Sequence, residues 1–500
     1  MDGTDAPTPV SSPHETAGRR DLRSRIRSVA TDPARCFLVV GALAGLLLVF
    51  VIPPLAGIDE PAHFVRAYQI STGRLVPQVP PGATDGAGAC IPNEMASDLG
   101  RLILAEYLHV NDVQNTTPDR SGLAGSSGAD RPAPSVGIRA GCPAGERFVD
   151  FSAFGWYSPI SYVPQALAVA VGRGVGVDTR GLVLLARLAG LAAYLALVFV
   201  AIRRSPFARW GLCAVGLLPV ALFQAASSRS PDAVTIGVGM LVLGAALRAA
   251  QGGTSAADGG SALGERLALC ALLGALKPTY AVLSLCFLLP LWARPRPERL
   301  RTMLAPVAAA FGTSTLWQSF AGHYFVCDTR YFGWDPRTGD QIDTILHSPL
   351  RYALAVVESF GTYGGRWLDQ AMTVGITVAN WAWPGIAVAI VAYFVAAARR
   401  DPKEVFQLGA SQRALLLGIV LTGMVLVITG EHVYCAPVGL DLVYPPHARH
   451  FLPVLPLLAV ALTPSRPGRA RSSRSDRIPS APILLLVTLA FVVSTALEMR

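Results

Sequence analysis

The chain has 500 residues, 52% hydrophobic and only 15% charged, with a formal net charge of +9. Soluble proteins carry about 25% charged residues, so this chain cannot cover itself with water-facing groups, and its long apolar blocks point to a bilayer as solvent. The basic excess lies in short arginine clusters between apolar blocks, the form of a topology signal. With no aromatic-and-basic module beside it, nucleic acid is excluded as a partner.

Residues 1–35 are rich in Pro, Ser, Thr and Gly and then basic, and read as a disordered cytoplasmic tail. The apolar run from Cys36 to Pro54 is not followed by an A-x-A cleavage site, which favours an uncleaved first span over a signal peptide. A long polar region follows, expected as a first external loop over 55–180 with juxtamembrane helices. Inside it, 158–174 is apolar but short and broken by prolines, and reads as an interfacial or re-entrant helix. Further spans fall near 181–202, 209–226, 231–250, 263–276, 279–293, 303–322, 374–398, 413–429, 451–464 and 480–498, so the expected fold is all-α and polytopic with about eleven spans. The transmembrane domain covers 36–465, 466–479 forms a basic cytoplasmic loop, and 480–500 is a C-terminal transmembrane helix.

Charge bias tests this layout. With the N-terminus inside, the cytoplasmic connections are 203–209, 251–264, 294–301, 399–413 and 465–479, and all but 251–264 are strongly basic, as the positive-inside rule expects. The loops 323–373 and 430–450 then lie outside with the first loop. So do Cys90, Cys142, Cys327 and Cys435, while Cys36, Cys213, Cys270 and Cys286 fall in spans. Four external cysteines permit three pairings; Cys90–Cys142 and Cys327–Cys435 are preferred. The abundance of Arg and Ala over Lys suggests a high-GC genome, an actinobacterial-like composition, and the expected location is a bacterial plasma membrane.

Polar clusters carry the chemistry. Asp59-Glu60-Pro61-Ala62-His63-Phe64-Val65-Arg66 begins just outside the first span, with Pro61 suited to the first helical position and Glu60 extended before it. Asp59 and Glu60 could act as a general base or hold a divalent cation (Mg, Mn or Ca), or merely favour the helix dipole. His63 and Arg66 are one turn apart. Asp232, in SSRSPD, could cap the next span. Lys277, followed by Pro278, Thr279 and Tyr280, is a cation between apolar segments, costly unless paired or facing an aqueous cavity. Arg449, between His447 and His450, offers a planar fork for a phosphate. Tyr324, Tyr331, Phe332, Trp334 and the stretch Tyr363–Trp367 add aromatics that stack on sugars or belt an interface. No Walker A, GxSxG, HExxH or dinucleotide fingerprint is present, which argues for a lipid-borne substrate over soluble nucleotide chemistry.

The runs IDEPAHFVRAYQISTGRL, SYVPQALAVAVGR, SSRSPDAVTIG, LKPTY and ARHFLPVLPLL, in this order over about 37–465, resemble the DUF2142 family of bacterial membrane proteins. That family is similar to the GT-C superfamily of membrane glycosyltransferases, with many spans, a long first external loop and an acidic motif after the first span. The resemblance implies an inverting transferase moving a hexose or pentose from a polyprenyl-phosphate donor to an envelope glycan or glycolipid acceptor on the external face. Asp59 and Glu60 match the acidic motif; Lys277 and Arg449 would contact the lipid phosphate; His63, Arg66, Asp232, Tyr280 and His447 would line the substrate. The competing readings are a flippase of lipid-linked sugars and a non-catalytic envelope-assembly protein.

Overall fold

The structure is a computed structural model, and it describes residues 29–55, 59–79, 86–102, 142–227, 231–251, 259–290, 297–326, 337–373, 393, 407–443, 446–464 and 480–498. The expected span 374–398, the tail before residue 29, the loop 466–479 and the residues Cys327, Tyr331, Phe332 and Trp334 lie outside these.

The described chain is predominantly helical. Helix α1 (Pro33–Val51) opens on a strong start signal: Asp32 accepts from the amides of Ala34 at 2.9 Å and Arg35 at 3.2 Å, and Pro33 takes the first helical position. It stops before Pro53-Pro54. Helix α2 (Glu60–Ser71) begins one residue earlier than Pro61, so Glu60 is helical and not extended. The hairpin of β1 (Gly88–Pro92) and β2 (Glu146–Asp150) pairs antiparallel, Cys90 opposite Phe148, and a disulfide joins Cys90 to Cys142. An all-α reading misses this hairpin because its strands are five residues each and lie among Gly- and Pro-rich loops. Helix α3 (Val163–Gly174) is short and carries an exposed apolar face of Val163, Leu167 and Val171, so 158–174 is no full span.

The bundle itself comprises α4 (Thr179–Arg204), α5 (Arg209–Gly216), α6 (Pro219–Ala226), α7 (Asp232–Gln251), α8 (Gly259–Leu276) and α9 (Pro297–Ala321). A 3-10 segment, Pro278–Leu288, lies between α8 and α9 where a span was expected over 279–293. Later come α10 (Thr338–His347), α11 (Pro349–Thr373), α12 (Ala410–Cys435), a 3-10 segment Ala448–Val454 interrupted by Pro453, α13 (Leu455–Leu462) and α14 (Ser480–Glu498). Among the described residues, α1, α4, α7 and α12 are long and apolar enough to cross a membrane, and α5 with α6, bent by 55°, form a fifth candidate. Pro219 supplies the break.

Small residues let helices approach closely. A Cβ on Gly274 would sit 2.0 Å from the carbonyl oxygen of Ala310, so α8 and α9 touch through their backbones. The region 323–373, expected as a loop, is largely helical. In α10 and α11, Leu346, Leu350, Leu354 and Val357 form an exposed stripe at four- and three-residue steps, while Val356, Ser359 and Trp367 face inward. The two ends of the bundle differ. At one, Arg204 and Arg248 meet Glu265 at 2.8 and 3.3 Å. The other carries Asp59, the start of α7 and the end of α12.

Candidate functional site

Helix α2 is placed by Arg187, an arginine buried within α4. Its Nε and Nη2 donate to the two carboxylate oxygens of Glu60 at 2.7 and 2.9 Å. Its remaining donors meet the carbonyl oxygens of Val49, Ile52 and Pro53 at 3.2, 2.7 and 2.7 Å. Five N–H groups thus face five acceptors. The guanidinium satisfies carbonyls left open at the end of α1 and fixes the start of α2 against it.

Asp59 immediately precedes this anchored helix. It occupies the N-cap position, yet its side chain makes no capping bond. It pairs instead with the Arg449 guanidinium, 390 residues away in sequence. The two acidic neighbours therefore part: Glu60 turns inward to Arg187, and Asp59 turns to Arg449.

A second pair stands beside the first. Lys277 Nζ lies 3.1 Å from Asp232 Oδ1, both side chains buried. Lys277 also reaches His450 Nδ1 at 3.4 Å, and Tyr280 donates to the His450 carbonyl at 2.6 Å. Because an ammonium only donates, His450 Nδ1 accepts and its proton sits on Nε2, which faces Glu431 Oε1 at 3.8 Å. The Lys277 ammonium lies over the Tyr157 and Tyr280 rings at 5.4 and 5.5 Å. Arg449 and His450 are adjacent, so the two pairs share one backbone segment.

His63 lies one turn into α2 and is buried. The Tyr162 hydroxyl, which burial holds in the protonated form, shares a hydrogen bond with His63 Nδ1 at 2.7 Å. Phe154 and Tyr157 pack on the imidazole at centroid distances of 4.5 and 5.8 Å. Burial pushes the His63 imidazole down to about 3, with the nearby Asp59 charge opposing the shift. His63 is therefore a neutral imidazole.

Not every expected residue joins this cluster. Arg66 is fully buried and faces away, donating to Gln69 Oε1 at 2.5 Å and to the Leu75 carbonyl at 2.8 Å. It holds the turn after α2. His447 is exposed beside Arg449. Trp367 is buried, its indole donating to the Pro446 carbonyl at 2.8 Å. Cys435 is disulfide-bonded, and its preferred partner lies outside the described residues.

Arg187, Glu431, Tyr157 and Tyr162 are site residues that sequence reasoning did not single out. The signal was there for two of them: Arg187 interrupts an apolar span and Glu431 ends one, and ionisable groups in such places are rare without a partner. A divalent cation does not fit the acidic pair. Both Glu60 oxygens are taken by Arg187, and among the described residues no group of three His, Cys, Asp or Glu side chains could hold a metal ion.

A family model described as "Predicted membrane protein (DUF2142)" matches residues 42–458. No curated protein and no solved structure matches the chain.

Proposed function

The chain belongs to the DUF2142 family of predicted membrane proteins, and from that premise we propose that it is an inverting, GT-C-type glycosyltransferase with about eleven spans, using a polyprenyl-phosphate-linked sugar on the external face of a bacterial plasma membrane. The acceptor is an envelope glycan or glycolipid.

One observation carries this reading. Asp59, Asp232, Lys277 and Arg449 come from four distant segments, yet they form two acid–base pairs at one end of an apolar bundle. Such pairs at helix ends suit chemistry on a headgroup, whereas a transporter places its ionisable groups near the bilayer midplane.

In the proposed step the acceptor hydroxyl oxygen attacks the anomeric carbon as the bond from that carbon to the phosphate oxygen breaks. Asp59 takes the hydroxyl proton, and the lipid phosphate leaves with the bonding electrons. Lys277 and Arg449 face its negative charge, and neutral His63 offers a hydrogen bond. Without substrate, Arg449 stabilises the Asp59 carboxylate and so weakens it as a base. A phosphate that engages Arg449 relieves that stabilisation, so donor binding strengthens the base. A phosphate leaving group needs no strong acid, and no step runs through a metal.

The test pairs envelope glycan analysis of a strain lacking the gene with complementation. Asp59→Asn should lower transfer by roughly 10²–10⁴-fold, the usual worth of a positioned acid–base group, with membrane insertion unchanged. Full complementation by Asp59→Asn would overturn the assignment of Asp59 as base.

A further inference from the structure

Exposure rises from the Lys277–Asp232 pair toward Glu431. Side-chain exposure is 0% at Asp232 and 7% at Lys277, 12% at His450 and 33% at Glu431. Tyr434, one helical turn beyond Glu431 on α12, is 41% exposed. An aromatic wall follows the same path. Tyr157, which lies under Lys277, has its ring 5.4 Å from Trp156. Trp156 in turn is 5.4 Å from Phe325 and 6.4 Å from Tyr434, and Phe325 and Tyr434 meet edge to face at 5.3 Å.

This wall is held in place. The Trp317 indole donates to the Trp156 carbonyl at 2.7 Å, and Tyr434 precedes the disulfide-bonded Cys435. Aromatics that merely belt a bilayer interface stand beside lipid. These pack on one another across three chain segments, and their inner end reaches the Lys277 ammonium.

We infer that Trp156, Phe325, Tyr434 and Glu431 form a sugar subsite at the mouth of the cluster, holding one ring of the glycan acceptor. A sugar ring has C–H faces that stack on aromatic planes and hydroxyls that donate to a carboxylate, and this mouth supplies both. Glu431 Oε1 faces His450 Nε2 at 3.8 Å, and a sugar hydroxyl would give this part-exposed carboxylate a further donor that a purely apolar ligand lacks. Naming the ring the acceptor rests on the transferase reading; sugar binding itself does not.

The probes are methyl glycosides of hexoses and pentoses, titrated into the purified full-length chain in nanodiscs and followed by saturation-transfer NMR. Choline chloride is the control for a site that prefers cations. Saturable glycoside binding is expected. It should weaken about tenfold in Tyr434→Ala and in Glu431→Gln, the order of one aromatic stack or one charged hydrogen bond. Tyr434→Phe should keep the wall and the binding, which separates loss of the aromatic plane from misfolding. The inference falls if no glycoside binds saturably, if both Tyr434→Ala and Glu431→Gln bind normally, or if choline binds in preference. Glycoside binding in a protein shown to transfer no sugar would leave the subsite standing and remove only the transferase reading.

Discussion

Arg187 and His63 are the side chains whose environments make the sharpest demands. Arg187 and Glu60 have side-chain exposures of 2% and 1%, so removing the guanidinium strands a buried carboxylate and three carbonyls. Breaking a buried pair in this way costs about 3–5 kcal/mol. Arg187→Met should therefore lower the unfolding temperature sharply in detergent, and Arg187→Lys, with at most three donors for five acceptors, should fall between. An unchanged unfolding temperature in Arg187→Met would rule out the anchoring role. His63 gives a pH signature. Its folded-state value of about 3 lies below its ordinary 6.5, so between these limits the unfolded chain binds the extra proton. Stability then rises with pH through that window, by up to about 1.4 kcal/mol per unit, and is complete above it. Thermal unfolding at pH 5 and pH 7 should differ more for the wild type than for His63→Gln; equal differences would refute the neutral, buried imidazole.

Among the elements, α2 and the β-hairpin depend on neighbours far along the chain. Helix α2 is 12 residues long, too short to be stable alone in water; the Glu60–Arg187 pair and packing against α3 hold it. The hairpin has only two strands, which are marginal without further support. Its support is the Cys90–Cys142 disulfide, closing a sequence separation of 52. A bridge over a loop of that size contributes about 2–4 kcal/mol by restricting the unfolded chain. Cys90→Ser should make the hairpin markedly more sensitive to protease in membrane vesicles and leave the helices of the bundle protected. A hairpin that resists protease equally without the bridge would show that packing alone suffices. In α11 the division is by face: Trp367 and Ser359 bind the bundle, and the leucine stripe turns away from it.

For the molecule as a whole, the question is which end faces which compartment. The positive-inside rule predicts that Arg203 faces the cytoplasm and that the first loop, with Arg74, faces the outside. Both side chains are exposed, and the free cysteines among the described residues are buried. In intact cells a membrane-impermeant maleimide should therefore label Arg74→Cys and spare Arg203→Cys until the membrane is opened. The reverse pattern would put Asp59 on the cytoplasmic side and end the proposal of external transfer.

Apolar block length and charge bias determined, from sequence alone, that this is a helical membrane protein, because a bilayer leaves few ways to satisfy a backbone. The family was legible in ordered short motifs, and Asp59, Asp232, Lys277 and Arg449 stood out as polar groups between apolar runs. What tertiary structure alone decided is how they pair. Neighbouring Asp59 and Glu60 look equivalent in sequence, yet Glu60 faces Arg187 and Asp59 faces Arg449, 127 and 390 residues away. The wall of Trp156, Phe325 and Tyr434 was equally invisible. A buried charge is determined by whichever group reaches it in space, and no local spacing encodes that partner.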